Sequence, residues 1–159
     1  MIPPRRGRVH TQAVIRTALG ASRAAAGKSD LEKAVGFLGR ALRKRTVVVL
    51  LSDFMGDGSW SRALRRLNAR HDVIAIRLSD PREAHFPKKG IVTLVDAESG
   101  EERTVDLRSG EPARAAAAMR RASDEAIASS GVDVVDVSTA VPYERALVRF
   151  FEKRSGRKR

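Results

Sequence analysis

Apolar residues recur along this chain at helical spacing, then in short β-branched runs, and the alternation repeats to the end. The opening through His10 is irregular and basic, with Pro3-Pro4 disfavouring an early helix. Val14, Ile15, Ala18 and Leu19 then share one helical face, ending near Gly20 or in the Ala-rich stretch after it. Ser29-Asp30-Leu31-Glu32 has the form of a capping box: the Ser29 hydroxyl serves the amide three residues on, and Glu32 reaches back. Leu31, Ala34, Val35, Leu38 and Leu42 form the apolar stripe that follows, and Arg40, Arg43 and Lys44 suit its negative C-terminal end. Thr46–Leu51 is apolar on both faces, the pattern of a parallel, central strand covered by helices on each side.

After a turn through Ser52-Asp53-Phe54-Met55-Gly56-Asp57-Gly58, the spacing of Trp60, Ala63, Leu64 and Leu67 predicts a helix over 59–69. A strand over 73–78 follows and closes at Ser79-Asp80-Pro81-Arg82-Glu83. Segments 91–95 and 102–106 flank Asp96-Ala97-Glu98-Ser99-Gly100 as an antiparallel hairpin. Pro112 opens a long helix through Ser129, which Gly131 terminates. A strand over 132–137, then Pro142 and a helix carrying Leu147, Val148, Phe150 and Phe151, complete the chain. This order predicts an α/β fold: a Rossmann-type parallel sheet of about three strands, flanked by helices through right-handed crossovers, with a small β-hairpin insertion. Nothing in the chain covers the edge of 46–51, and an apolar, unpaired edge predicts self-association.

Composition then narrows the classes. The 159 residues contain no cysteine, which excludes disulfides, thiolate metal sites and cysteine nucleophiles. No apolar run approaches the roughly 20 residues that span a bilayer, and no signal peptide opens the chain, so the expectation is a cytoplasmic protein without a membrane partner. The net charge of +12 raises a nucleic-acid reading. It is carried mostly by Arg in an Ala-rich sequence, a bias that a GC-rich genome produces without selection for binding. Aromatic content of 4% offers few stacking platforms. Arg62, Arg65, Arg66 and Arg70 are the candidate contacts for this alternative, and they read as a solvated helix face. Residues 155–159 read as a basic disordered tail.

Ligands of open α/β sheets bind outside the carboxyl ends of the strands. Asp53 follows the first strand, Asp80 the second, and Asp136, Ser138 and Thr139 end or follow the third. Ser29, Asp53 and Asp57 supply hard oxygen donors of the kind Mg²⁺ takes. Each also has a structural explanation: Asp after a strand caps or turns, Asp-Pro opens turns, and Ser29 caps a helix. His10, His71 and His85 share no metal-ligand spacing and read as solvated or locally bonded imidazoles. No nucleophile–base pair is visible, so no enzymatic activity is expected.

Read together and in order, several strings resemble the bacterial "domain of unknown function fifty-eight" family. They are Met1-Ile2-Pro3-Pro4-Arg5-Arg6-Gly7-Arg8-Val9-His10, Lys28-Ser29-Asp30-Leu31, Val48-Val49-Leu50-Leu51-Ser52-Asp53-Phe54, Arg70-His71-Asp72-Val73-Ile74-Ala75, Asp80-Pro81-Arg82-Glu83, and Val132-Asp133 through Ser138-Thr139. The resemblance covers essentially the whole chain. It implies a von Willebrand factor A-like fold, with residues 1–154 as the C-terminal half of the domain, and a metal-ion-dependent adhesion site built from three loops. Asp53 matches the aspartate of the third loop, and Ser29 falls where the second usually has threonine. The first loop, Asp-x-Ser-x-Ser, lies upstream of Met1 in the family, so the resemblance implies a site complete with Mg²⁺ only when that loop is supplied. Asp57-Gly58-Ser59-Trp60-Ser61 fits the pattern literally, but it comes just after Asp53 at a helix start and reads as a chance match. The family's Pro-Pro-Arg-Arg-Gly-Arg string lies mid-domain, so the expectation is that Met1 marks a fragment, a mispredicted start or a truncated form. The function implied is a protein-interaction module, with a MoxR-type AAA+ ATPase as partner in assembling or maturing other proteins.

Overall fold

The structure, a computed structural model, describes residues 2, 5–24, 30–81, 90–95 and 100–157. They fall into two compact units, Met1–Ser29 with Val95–Glu102, and Asp30–Leu94 with Arg103–Arg159. In the first, α1 (Arg8–Ala24) begins earlier than the expected start after His10. Gly7, at φ +101°, makes the turn into it and accepts the Thr11 amide at 3.1 Å. The face carrying Val14, Ile15 and Leu19 is exposed.

The second unit contains α2 (Leu31–Ala41), β1 (Val47–Ser52), α3 (Ser61–Arg70) and β2 (Asp72–Ser79), then α4 (Glu111–Ser130), β5 (Asp133–Ser138) and α5 (Tyr143–Arg157). Between them lie β3 (Ile91–Val95) and β4 (Glu102–Asp106), which pair in a separate two-stranded sheet. Their short connection allows only antiparallel pairing, so the expected hairpin is present, with its turn at 96–99 outside the described residues.

Asp30, not Ser29, caps α2: its side-chain oxygen accepts the Lys33 amide at 2.8 Å. The cap is therefore one residue later than expected, and it is not a capping box, because Lys33 rather than Glu or Gln stands at the third helical position. Ser29 lies outside the described residues. At the other end of the chain, α5 continues through Arg157, so residues 155–157 are helical where a disordered tail was expected.

The main sheet has the order β1-β2-β5, and both pairings are parallel. Among the described residues β2 is therefore the central strand and β1 lies at an edge, where a central position was expected for it. The difference has a simple cause. A run apolar at every position signals cover on both faces, but among the described residues of this unit helices cover only one face of β1. Val48 is buried there, while Val47, Val49 and Leu51 are 58%, 45% and 65% exposed. The covered face packs Val48, Val73 and Ala75 beneath Val35 of α2, Ala63, Leu64 and Leu67 of α3, and Ala126 and Ile127 of α4. On the opposite face α5 packs against β5, Ile74 and Val135 are buried, and Arg154 reaches both Asp72 and Asp133. Among the described residues, no helix is long and apolar enough to cross a membrane.

Candidate functional site

Because the three strands run parallel, their carboxyl ends open onto one surface, carrying Asp53 from β1, Asp80 from β2, and Ser138 with Thr139 from β5. Asp53 is exposed. One of its oxygens accepts the Met55 amide at 3.1 Å and the Ser52 hydroxyl at 3.3 Å. The next residue, Phe54, has φ +54°, the only positive value at a non-glycine among the described residues. Such a conformation costs on the order of 1–3 kcal/mol and persists only where surroundings fix it. Here the ring is fully buried and edge-on to Trp60 at 5.5 Å. Its amide donates to the Ser52 hydroxyl at 3.0 Å, and its carbonyl accepts the Ser123 hydroxyl of α4 at 2.7 Å. The chain is thereby turned sharply at Asp53, which leaves the carboxylate facing outward on a fixed backbone.

Four residues on, Gly58 holds φ +76°, and a Cβ there would lie 2.8 Å from the Ala126 Cβ. The loop thus lies directly on α4, a closeness that only glycine allows. Asp57 accepts the Ser59 amide at 2.9 Å, and that bond holds its carboxyl below the usual carboxylate range. Ser61 turns its hydroxyl to the Ala126 carbonyl at 3.0 Å and to Ser129 at 2.8 Å. The oxygens of Asp57-Gly58-Ser59-Trp60-Ser61 thus fasten this loop and α3 rather than converge on Asp53.

At the other strand ends, the Thr139 amide donates to the Ser79 carbonyl at 3.0 Å, and the Ser138 hydroxyl accepts the Ala140 amide at 3.3 Å. Asp136 is committed to Arg77, which lies beside it across the sheet at 2.6 Å and also reaches Asp124 of α4. These bonds raise the pKa of Arg77, the one to Asp136 most, and fix the cation on the sheet. Among the described residues, no three His, Asp or Glu side chains lie close enough together to hold a metal ion. Asp53 is the described donor of the Mg²⁺ pair, and Ser29, its expected companion, lies outside the described residues.

The helix arginines divide. Arg62, Arg65 and Arg66 are exposed, as a solvated helix face requires, and line one groove of about 630 Å³ with Glu32, Asp57 and Ser61. Arg65 is held there by its bond to the Ser129 carbonyl at 3.0 Å. Arg70 turns instead to the Gly39 carbonyl at 3.4 Å. His71 departs from its expected surroundings: it is buried, and neither ring nitrogen has a hydrogen-bond partner among the described residues. The sequence reading missed Ser123 and Arg77. The available signal for Ser123 was a small polar residue on the buried side of an Ala-rich helix.

The family model described as "Protein of unknown function DUF58" matches residues 1–147. An uncharacterized protein of Mycobacterium bovis and one of Mycobacterium tuberculosis are each 38% identical over 157 residues, covering 96% of this chain and 50% of the relative. The chain thus spans about half the length of these curated relatives. An uncharacterized protein of Mycobacterium avium is also 38% identical over 157 residues, and there the match covers 93% of the relative. No solved structure matches the chain.

Proposed function

This chain belongs to the DUF58 family, and from that premise we propose that it is a non-enzymatic protein-interaction module of the von Willebrand factor A-like type, acting in the cytoplasm. The observation that carries this reading is the exposed carboxylate of Asp53, set at the carboxyl end of β1 on a backbone that Phe54 and Ser123 hold fixed. A preformed acidic group at that end of a parallel sheet is placed to meet a partner. The carboxylate of Asp53 is a hard oxygen donor of the kind Mg²⁺ takes, but the described residues do not by themselves make a complete donor set. A bound ion would supply positive charge for a partner's carboxylate, with its remaining donors coming from another segment or from water. The partner proposed is a MoxR-type AAA+ ATPase, in the assembly or maturation of other proteins.

The test is a co-purification of the chain with such an ATPase, with Mg²⁺ and with chelator, for wild type and Asp53→Ala. Retention that falls in Asp53→Ala supports the module, and a further loss in chelator supports the ion. Equal retention of both proteins would remove Asp53 from the interface.

A second reading, nucleic-acid binding, is favoured by the gathering of Arg62, Arg65 and Arg66 in one groove. A mobility shift on duplex DNA at physiological salt, lost when the three become Gln, would support it; no shift would remove it.

A further inference from the structure

We propose that the furrow between α2 and α3 docks an acidic segment of a protein partner, bound in extended form with alternate carboxylates on Arg62, Arg66 and Arg70. This rests on the interaction-module reading and adds to it the chemistry of the partner.

The two helices run side by side in the same direction. Glu32 in the first turn of α2 shares a groove with Arg62, and the Gly39 carbonyl near its end accepts the Arg70 guanidinium at 3.4 Å. Arg62, Arg66 and Arg70 recur every four residues, so they form one stripe along α3. Arg66 also lines a second groove with Gly36, Arg40 and Ala63, so the two grooves meet at Arg66 as one furrow. All four arginines are exposed, and α3 carries no acidic residue. Among the described residues none of the four makes an ion pair, whereas Arg77, Arg108 and Arg154 each do. The furrow does not depend on what pairs with β1. α3 is the middle helix of its layer, packed against α2 on one side and α4 on the other. Strands join a sheet at its edges, and their helices join the ends of the layer.

Spacing and charge select the occupant. Four residues of helix rise about 6 Å, and alternate residues of an extended chain lie about 6.7 Å apart on one face. Carboxylates at every second position of an extended segment therefore follow the arginine stripe in step, and the guanidinium fork is the natural partner of a carboxylate. The lining is not purely basic: Glu32 borders both grooves and Asp57 one of them. A peptide can set an uncharged residue opposite those carboxylates. A nucleic-acid backbone carries a phosphate at every step and cannot. The mixed lining thus favours a protein segment over DNA.

The probe is a fluorescein-labelled peptide in which glutamate alternates with threonine, followed by anisotropy at physiological salt. It should bind the wild-type chain, and Arg62→Gln combined with Arg66→Gln should weaken it about tenfold. Both residues are exposed, so these substitutions leave the packed face of α3 intact. Arg145→Gln combined with Arg149→Gln removes the same charge from α5, on the opposite face of the sheet, and should weaken binding by about twofold at most. A peptide of the same composition with its glutamates in one block should bind more weakly than the alternating one. Asp53→Ala should bind the alternating peptide as wild type does, so a failed furrow and a failed Asp53 contact are told apart. Four results would each overturn the proposal. They are no binding, equal weakening by the α5 pair, equal affinity for the block peptide, or duplex DNA that displaces the peptide at lower concentration than the peptide itself requires.

Discussion

Ser123 donates a buried hydrogen bond of 2.7 Å to the carbonyl of Phe54, tying the middle of α4 to the turn that presents Asp53. Ser123→Ala would leave that carbonyl buried without its partner, a loss of about 1–3 kcal/mol. The urea midpoint should fall with little change in slope, because the surface exposed on unfolding is nearly the same. Amide exchange at Phe54 and Met55 should quicken more than exchange in β2, since the loosened element is the loop. An unchanged midpoint would mean that the Ser123 bond adds nothing to the turn.

Arg154 is a second tie between distant parts of the chain. Its guanidinium bridges Asp72 at the start of β2 and Asp133 at the start of β5, and it lies over the Phe150 ring, 5.8 Å from the centroid. Asp133 remains nearly half exposed, so solvent weakens that arm, while Asp72 is better shielded. Arg154→Met should lower unfolding stability by about 1.5–3 kcal/mol, the range for charged hydrogen bonds. Arg154→Lys should recover little, because an ammonium cannot match two carboxylates with a planar fork. Recovery to the wild-type midpoint in Lys would reduce the arrangement to simple charge.

These ties were not legible in the sequence, although the elements they join were. The apolar stripe of α2, the strand identity of Val47–Leu51, the hairpin of β3 and β4, and the inward face of α3 all follow from local periodicity. What periodicity cannot show is which side of a segment other parts of the chain cover. Thr46–Leu51 reads as doubly buried because every position is apolar, yet its cover on one face is not among the described residues. The site divides in the same way. Asp53 is readable as a carboxylate after a strand. The fixing of its backbone by Ser123, 69 residues from Phe54, is a property of packing alone. Arg77 and Asp136 meet because β2 and β5 are neighbours in register, which no local pattern announces.

His71 follows α3, with its amide bonded to the Leu67 carbonyl at 2.9 Å and its ring buried. Both ring nitrogens lack a hydrogen-bond partner among the described residues. Burying polar atoms in this way costs on the order of 1–3 kcal/mol. His71→Phe should therefore raise the thermal midpoint, since an apolar ring of similar shape removes that cost and keeps the backbone bond. A lowered midpoint would indicate that the imidazole makes a stabilising contact in solution.

Acid should weaken the start of α2 through Asp30. The Lys33 amide bonded to its carboxylate lowers the Asp30 pKa below the ordinary 3.8, and the Lys33 ammonium at 2.9 Å lowers it further. A carboxyl whose pKa is lower folded than unfolded binds its proton more readily in the unfolded chain. Its contribution is therefore complete well above the ordinary carboxylate pKa, and it is lost as pH falls through the lower folded value. The group is fully exposed, so the effect is modest and falls with added salt. Asp30→Asn keeps a side-chain oxygen for the Lys33 amide but cannot titrate. The stability advantage of wild type over this variant should shrink as pH falls from 7 toward 3, followed by urea midpoints. A carbon-13 titration of the Asp30 carboxyl provides the direct check, and a midpoint at or above the ordinary value would contradict the cap geometry.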